Sequence, residues 1–375
     1  MQPAPDDTDS GAPRAAQRRF PCESCGAAMQ FEAGTVSLRC SHCGHEQALP
    51  VSDDAVVERD YHEELERGLH ALASRTLISI KCDACGADVE RPPDVTADAC
   101  PFCGTDLVGV ATSAAAIKPQ ALLPFDVTRA AAERSFIQWL RRLWFAPSPL
   151  QRMRSRPRIN GLYVPHWTYD CLAESDYRGK RGDDYWVTVS YNANENGRSV
   201  MKTRRERRTR WTNVSGHVVN DFDDLLVNAS RSLPEKLAAR LEPWDLSSLV
   251  SYADGYLAGF RAERHQISLA DGFDVAQERM QPQIRATINA DIGGDHQIID
   301  DVQTRYHNIT FKHILLPVWL SVYRYRDKPY RFLVNARTGE VQGERPWSAW
   351  KIAGAVITLA AALGGAAYLL SRFTG

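Results

Sequence analysis

The chain has 375 residues, 44% hydrophobic and 9% aromatic, enough for one substantial core and some small modules. With 45 Lys and Arg against 46 Asp and Glu the net charge is −1. That excludes a protein basic overall, so any nucleic-acid contact has to come from a local patch. No Gly-x4-Gly-Lys-Ser/Thr loop, His-Glu-x-x-His or Gly-x-Ser-x-Gly occurs. Nucleotide-driven motor work, zinc-protease and serine-hydrolase chemistry therefore have no support.

Residues 1–19 are rich in Pro, Ala, Asp and Arg and hold no apolar run, which predicts disorder and no signal peptide. Residues 20–50 carry Cys22-Glu-Ser-Cys25-Gly26 and Cys40-Ser-His-Cys43-Gly44. Two thiolates three residues apart can bind one ion from a single tight turn, and the following glycine supplies the positive φ that the turn needs. Residues 51–79 form a spacer in which Tyr61, Leu65, Leu69 and Leu72 recur at helical spacing. Residues 80–108 repeat the cysteine pattern as Cys82-Asp-Ala-Cys85-Gly86 and Cys100-Pro-Phe-Cys103-Gly104. The spacing predicts two zinc ribbons, Cys22/Cys25/Cys40/Cys43 and Cys82/Cys85/Cys100/Cys103, holding two structural Zn2+ ions. A closed shell of four thiolates leaves no position for substrate. A disulfide framework belongs to secreted chains, so reduced thiols imply the cytosol. The ninth cysteine, Cys171, reads as a small buried hydrophobe.

Residues 109–345 have the composition of one mixed α+β domain with an antiparallel sheet. Asp126-Val-Thr-Arg129 opens a helix carrying Phe136, Ile137, Leu140, Leu143 and Trp144, which Pro147 ends. Tyr185–Tyr191 alternates as a strand does, followed by a turn at 192–197. Ser232-Leu-Pro-Glu235 is a capping box opening a helix through Leu241. Gly272–Ile292 reads as a helix; Ile314–Tyr325 and Tyr330–Asn335 read as strands joined by a turn at 326–329. Tyr163-Val-Pro-His-Trp167 is echoed by Leu315-Leu-Pro-Val-Trp319, as two related strand-hairpin units in one sheet would produce. Chance similarity is the rival explanation.

Two stretches are basic: Lys202–Arg210, and Arg141, Arg142, Arg152, Arg154, Arg156 and Arg158. Anionic lipid, nucleic acid or plain solvent are the alternatives for each. The second ribbon, with two cations against six anions between Lys81 and Asp106, repels phosphate and suits protein contacts better. Asp291-Ile-Gly-Gly-Asp295-His296 and Asp221-Phe-Asp-Asp224 concentrate carboxylates, where turn and cap duty outweighs a metal or hydrolytic site. His166, His217, His296, His307 and His313 are scattered. Finally, Ile352–Leu370 has no charged residue, and Trp347, Trp350, Lys351, Tyr368 and Arg372 flank the run as interfacial anchors would. This predicts a transmembrane helix over 350–371, with Ala360/Gly364 and Ala361/Gly365 spaced for helix–helix packing.

Taken together, the ribbons, Tyr163–Trp167, Trp211–Ser230, Tyr256–Phe260, Asp291–Asp295, Phe311–Trp319, Val334–Val341 and Pro346–Lys351 resemble a bacterial family of membrane-anchored proteins with a TFIIB-type zinc ribbon. That family is often labelled primosomal protein N′/superfamily II helicase-like, although this chain has no motor motif. The resemblance implies an inner-membrane, single-pass protein with its N-terminal bulk in the cytoplasm. It also implies partners among phage-shock-type and SPFH-type scaffold proteins in envelope stress. The expectation is an adaptor or scaffold that acts by binding protein partners and is no enzyme, with homo-oligomers open to it. The alternatives are a membrane-tethered nucleic-acid-binding protein and a hydrolase using Asp291, Asp295 and a histidine.

Overall fold

The computed structural model describes residues 20–49, 56–71, 78–81, 88–91, 98–99, 106–107, 117–151, 159–195, 198–326 and 328–373. Residues 1–19, the arginines at 152, 154, 156 and 158, and Cys82, Cys85, Cys100 and Cys103 lie outside them. The second zinc site is therefore not described. Its segment contributes two short antiparallel pairs, β5 (Ile78–Lys81) with β6 (Asp88–Arg91) and β7 (Asp98–Ala99) with β8 (Asp106–Leu107).

The first ribbon is a three-stranded antiparallel sheet, β1 (Met29–Phe31), β2 (Ser37–Cys40) and β3 (Glu46–Ala48). β4 (Arg59–Asp60) leads into α1 (Tyr61–Ala71), where Asp60 Oδ1 accepts the Glu63 N–H at 2.8 Å as the cap. The main domain follows as β9 (Ala121–Leu122), α2 (Arg129–Arg142), α3 (Ser148–Gln151), β10 (Asn160–Glu195), β11 (Arg198–Asn228), α4 (Glu235–Ala238), β12 (Val250–Ser251), β13 (Arg261–Ala262), α5 (Leu269–Ile292), β14 (His296–Tyr325), β15 (Lys328–Asn335) and β16 (Val341–Gly343). One nine-stranded sheet runs β11-β10-β14-β15-β16, and β4, β9, β12 and β13 pair onto it. The fold is mixed α+β with antiparallel sheets, as expected.

Three strands are far longer than their sequence signals. The Tyr185–Tyr191 strand is the end of the 36-residue β10, and Ile314–Tyr325 ends the 30-residue β14. The reason lies under α5. There β10 buries Cys171, Ala173, Ser175, Tyr177 and Gly179, mostly small residues that let the helix approach. A Cβ on Gly179 would overlap the Ile298 carbonyl oxygen. Small side chains give little hydrophobic alternation, so the pattern that reveals a strand is weak. α5 itself starts three residues before its expected beginning, because Ser268 Oγ accepts the Asp271 N–H at 3.1 Å. It buries Leu269, Phe273, Ala276, Met280, Ile284, Ile288 and Ile292 along one stripe. α2 ends at Arg142, short of Pro147. Cys171 is buried with its Sγ 3.8 Å from Met280 Sδ, the role expected for it.

The faint echo is a structural duplication. The two copies lie side by side in the sheet, Tyr163 opposite Pro317, Val164 opposite Leu316 and Pro165 opposite Leu315, so that a local two-fold axis passes between Val164 and Leu316. The hydrogen bonds repeat across it. Trp167 Nε1 donates to the carbonyl of Ile267, just before the cap of α5, and Trp319 Nε1 donates to the carbonyl of Val127, just before the cap of α2. β13 pairs in parallel with β10 through Tyr163↔Ala262, as β9 does with β14 through Leu315↔Leu122. The Ala229 N–H reaches Pro165 O, and the Ala336 N–H reaches Pro317 O. Each repeat is thus a short strand, a helix and a long hairpin, with the strand and helix of one unit closing over the hairpin of the other. Leu226-Val-Asn-Ala229 and Leu333-Val-Asn-Ala336 are a second, identical echo that marks the end of each hairpin.

The chain ends in α6 (Ala349–Phe373), tethered where the Ser348 N–H donates to Phe145 O and Lys351 Nζ to Ala146 O. Every residue from 353 to 365 is exposed. Side chains of this helix are described as far as residue 365. Among the described residues no helix is long and apolar enough to cross a membrane, so the expected transmembrane helix is not met there.

Candidate metal centre and buried ionic cluster

The first ribbon brings its four cysteines together. Cys22 Sγ lies 3.6 Å from Cys43 Sγ and Cys25 Sγ lies 3.5 Å from Cys40 Sγ, with all four sulfurs within 4.8 Å of one another. Disulfide sulfurs would sit about 2.05 Å apart, and these cysteines are free thiols. Four thiolates around a tetrahedral zinc at about 2.3 Å have edges of about 3.8 Å, so the group fits a four-coordinate ion. The two turns are built alike. The Gly26 N–H donates to Cys22 O and the Gly44 N–H to Cys40 O, with both glycines at positive φ (72° and 75°). The backbone N–H groups of Cys43 and His42 draw the Cys40 thiol down to about 6, while Cys25 and Cys43, sharing hydrogen bonds with the other thiols, lie above their ordinary value.

This ribbon is docked, and its interior is continuous with the main core. Cys22, Met29, Phe31, Leu38, Cys40 and Leu49 are each at most 7% exposed. Phe31 packs its ring against Tyr256 and Phe260, and its N–H donates to Ala258 O. Leu49 lies so close over Gly255 that a Cβ there would overlap its methyl group. Cys25 and Cys43 face solvent. Two clefts of about 510 and 590 Å³ flank the junction, one reaching Thr128, Arg129 and Trp319, the other Phe20, Asp254 and Leu257. Neither is lined by Asp291, Asp295 or a histidine.

The acidic run 221–224 acquires partners that its sequence does not show. A bulge between Tyr169 and Cys171, with Asp224 at φ 51°, turns Asp170, Asp223 and Asp224 toward one point. Lys312, 6% exposed, puts Nζ there, 2.7 Å from Asp224 Oδ1, 2.8 Å from Glu58 Oε1 and 3.8 Å from Asp170 Oδ2. The ammonium is shared among Asp224, Glu58 and Asp170, so these groups form an internal ion network. Burial pushes the Asp170 carboxyl up to about 7, and the neighbouring carboxylates hold Lys312 above its ordinary value. Sequence reading missed Lys312 and Glu58 because they come from segments far away in the chain.

The remaining candidates have structural partners. Asp291 accepts the Tyr177 hydroxyl at 2.5 Å, Asp295 caps the Asp184 N–H at 2.8 Å, and His296 Nε2 sits 3.2 Å from Asp184. These contacts tie β10 to the turn after α5, which carries Gly293 and Gly294 at positive φ. His217 and His307 sit on the surface against Asp176 and Glu174.

His166 and His313 are buried and His265 half-buried, with no counter-charge among the described residues. His313 Nδ1 bonds Ile117 O at 2.7 Å while its Nε2 has no hydrogen-bond partner among the described residues, and His265 Nε2 accepts the Ile117 N–H at 3.0 Å. Desolvation lowers all three, His166 and His265 to about 4 and His313 to about 3. A folded pKa below the unfolded 6.5 means that each contributes stability fully present above pH 6.5 and lost as pH falls toward 4. Between pH 6.5 and 5 the loss is about 2 kcal/mol per histidine at 1.36 kcal/mol per unit. Thermal melts of the wild type and of His313→Gln at these two pH values check this: the acid loss is expected to shrink in the variant.

The fold and site define a mixed α+β protein whose duplicated hairpin domain carries a docked four-cysteine ribbon. No protein-family model matches the chain, and no solved structure matches it. It is similar to the uncharacterized protein YdjG of Bacillus subtilis (strain 168), with 26% identity over 338 residues that cover 89% of this chain and 92% of that one.

Proposed function

We propose that this protein is a membrane-anchored adaptor whose zinc ribbons and hairpin domain bind protein partners at the cytosolic face of a bacterial inner membrane. The observation that carries the reading is α6. Ile352, Val356, Ile357, Leu359 and Leu363 are 38–68% exposed among the described residues. An apolar helix projecting into water is costly at about 25 cal/mol per Å², and lipid would remove that cost. Thr358, the one hydroxyl in its described part, bonds back to Gly354 O at 2.7 Å, as a hydroxyl in hydrocarbon must. Trp347 and Trp350 are exposed at the helix entrance, with the Arg345 guanidinium 4.4 Å over the Trp347 ring, as suits an interface. The second ribbon, predicted to hold its own zinc through Cys82, Cys85, Cys100 and Cys103, supplies an acidic, protein-binding surface in this reading. By the family resemblance, phage-shock-type and SPFH-type scaffolds are the partners to look for.

The test has two arms. The full chain is expected in the membrane fraction and a form ending at Ser348 in the soluble fraction; identical fractionation would reject the anchor. A pull-down from detergent extract compares wild type with Cys82→Ser/Cys85→Ser, and unchanged partners would reject the adaptor role of the second ribbon.

A nucleic-acid-binding role is the second reading, favoured by the cations of β11. Lys202, Arg204, Arg205, Arg207, Arg208 and Arg210 lie along one strand with Glu206. Binding that falls steeply with salt and is abolished by charge reversal of these residues would replace the adaptor reading.

A further inference from the structure

The β10–β11 hairpin outruns the sheet. β10 pairs with β14 only as far as Gly182↔His296, whereas its pairing with β11 continues from Asp183↔Arg210 to Glu195↔Arg198. Residues 183–195 therefore stand about 40 Å beyond the sheet, at about 3.3 Å per residue, as a two-stranded ribbon. A ribbon of two strands is marginal in water by itself, and a third or fourth strand stabilises it.

The two edges of this ribbon are not equivalent. The β11 edge is protected in the way soluble proteins protect edges, by a row of cations. The β10 edge is not. Asp184 N is capped by Asp295 Oδ2, but from Tyr185 to Asn194 the strand reads Tyr-Trp-Val-Thr-Val-Ser-Tyr-Asn-Ala-Asn, with no charge and no proline. Among the described residues no strand pairs with that edge. Tyr185, Trp186 and Tyr191 are 44%, 64% and 41% exposed. A bare edge of aromatic and β-branched residues beside a guarded one is the arrangement of a strand that pairs with another chain.

We infer that the occupant is the β10 edge of a second copy, joined antiparallel about a two-fold axis through Val189. In that register Val187 faces the partner's Tyr191, and Tyr185 faces the partner's Ala193, on one face. On the other face Trp186 meets the partner's Asn192, and Thr188 the partner's Ser190. From Asp184 to Asn194 every facing pair is free of like charge, and like charges meet where Asp183 at the end of the ribbon faces the partner's Glu195. The resulting four-stranded sheet places the two cationic β11 strands at its outer edges, three strand spacings or about 14 Å apart, so their repulsion does not oppose pairing. A strand copying β11 would set cations against the partner's cations, and register through β10 avoids this. The β10 edge is continuous with the line of β14, so the intermolecular sheet extends the one within each subunit. This pairing is independent of α6 and of the adaptor reading.

The experiment uses the full chain purified in mild detergent, with its protein mass measured by light scattering. The wild type is expected to be a dimer. Val187→Lys/Val189→Lys, which guards the bare edge, is expected to halve the mass, while Met201→Lys/Thr203→Lys on β11 leaves it unchanged. In a second measurement, mild oxidation of Val189→Cys is expected to give a covalent dimer that neither wild type nor Thr203→Cys gives; this decides the matter if the lysine variant fails to fold. A monomeric wild type, a dimer that survives Val187→Lys/Val189→Lys with an unchanged melt, or Val189→Cys captured by a different chain would each overturn the proposal.

Discussion

Cys40→Ser is expected to remove one equivalent of zinc from the protein and to unfold the first ribbon, with a lowered melting temperature for the whole hairpin domain. The ribbon spans 30 residues, 20–49, and its three strands are three or four residues long. A module of that size has too small a core to offset its chain entropy, and a structural zinc supplies on the order of 10 kcal/mol. The consequence reaches further than in a tethered zinc finger, because this ribbon is part of the main core. Phe31, Leu38 and Leu49 would leave the surface that they cover, exposing Tyr256 and Phe260. Elemental analysis and thermal melting with and without chelator check this. Full metal content in the variant, or a melt insensitive to chelator, would show that these thiols are not the ligands. Substitution of Cys171 is expected to leave the metal content alone, since that thiol packs against Met280.

Lys312→Met is expected to destabilise the protein by about 3–5 kcal/mol at pH 8, the cost of breaking a buried ion network from one side. The methionine fills the volume of the lysine stem but leaves Asp170, Asp224 and Glu58 without their shared cation. The effect carries a pH signature. With the ammonium gone, the Asp170 carboxyl is raised further in the folded state, and Glu58 loses the cation that helps hold it below its ordinary value. A raised folded pKa means that the folded protein holds protons the unfolded chain releases, so the deficit grows as pH rises and shrinks as pH falls. Asp170, already at about 7 with Lys312 present, sets the window in which this shows. Urea denaturation of variant and wild type at pH 5.5 and pH 8 measures it, and a deficit equal at both pH values would sink this account. Asp224→Asn in the Lys312→Met background is expected to recover part of the loss, because it removes one of the stranded charges.

The fold was legible where chemistry is local. The spacing of Cys22, Cys25, Cys40 and Cys43 fixes a four-thiolate site whatever surrounds it, because two tight turns and one ion define the geometry; the observed φ values of Gly26 and Gly44 follow from that requirement. Helix α5 shows in its 3.6-residue stripe and α2 in its capping threonine, since both signals lie within a few residues of each other. The pairing of Tyr163–Trp167 with Leu315–Trp319 left a trace because duplicated units keep the residues that make duplicated hydrogen bonds.

What the sequence alone determined, then, is the grouping of Cys22, Cys25, Cys40 and Cys43, the two main helices, the mixed α+β class and the apolar character of the C-terminal run. Only the tertiary structure decided the length of the strands, the docking of the ribbon and the function of the acidic run. Strand length depends on neighbours supplied by distant segments, and small residues packed beneath a helix carry no hydrophobic pattern. That Asp170 and Asp224 share an ammonium depends on Lys312, nearly ninety positions further along the chain than Asp224. Cross-strand placement of that kind is a property of register, which no local window of sequence contains.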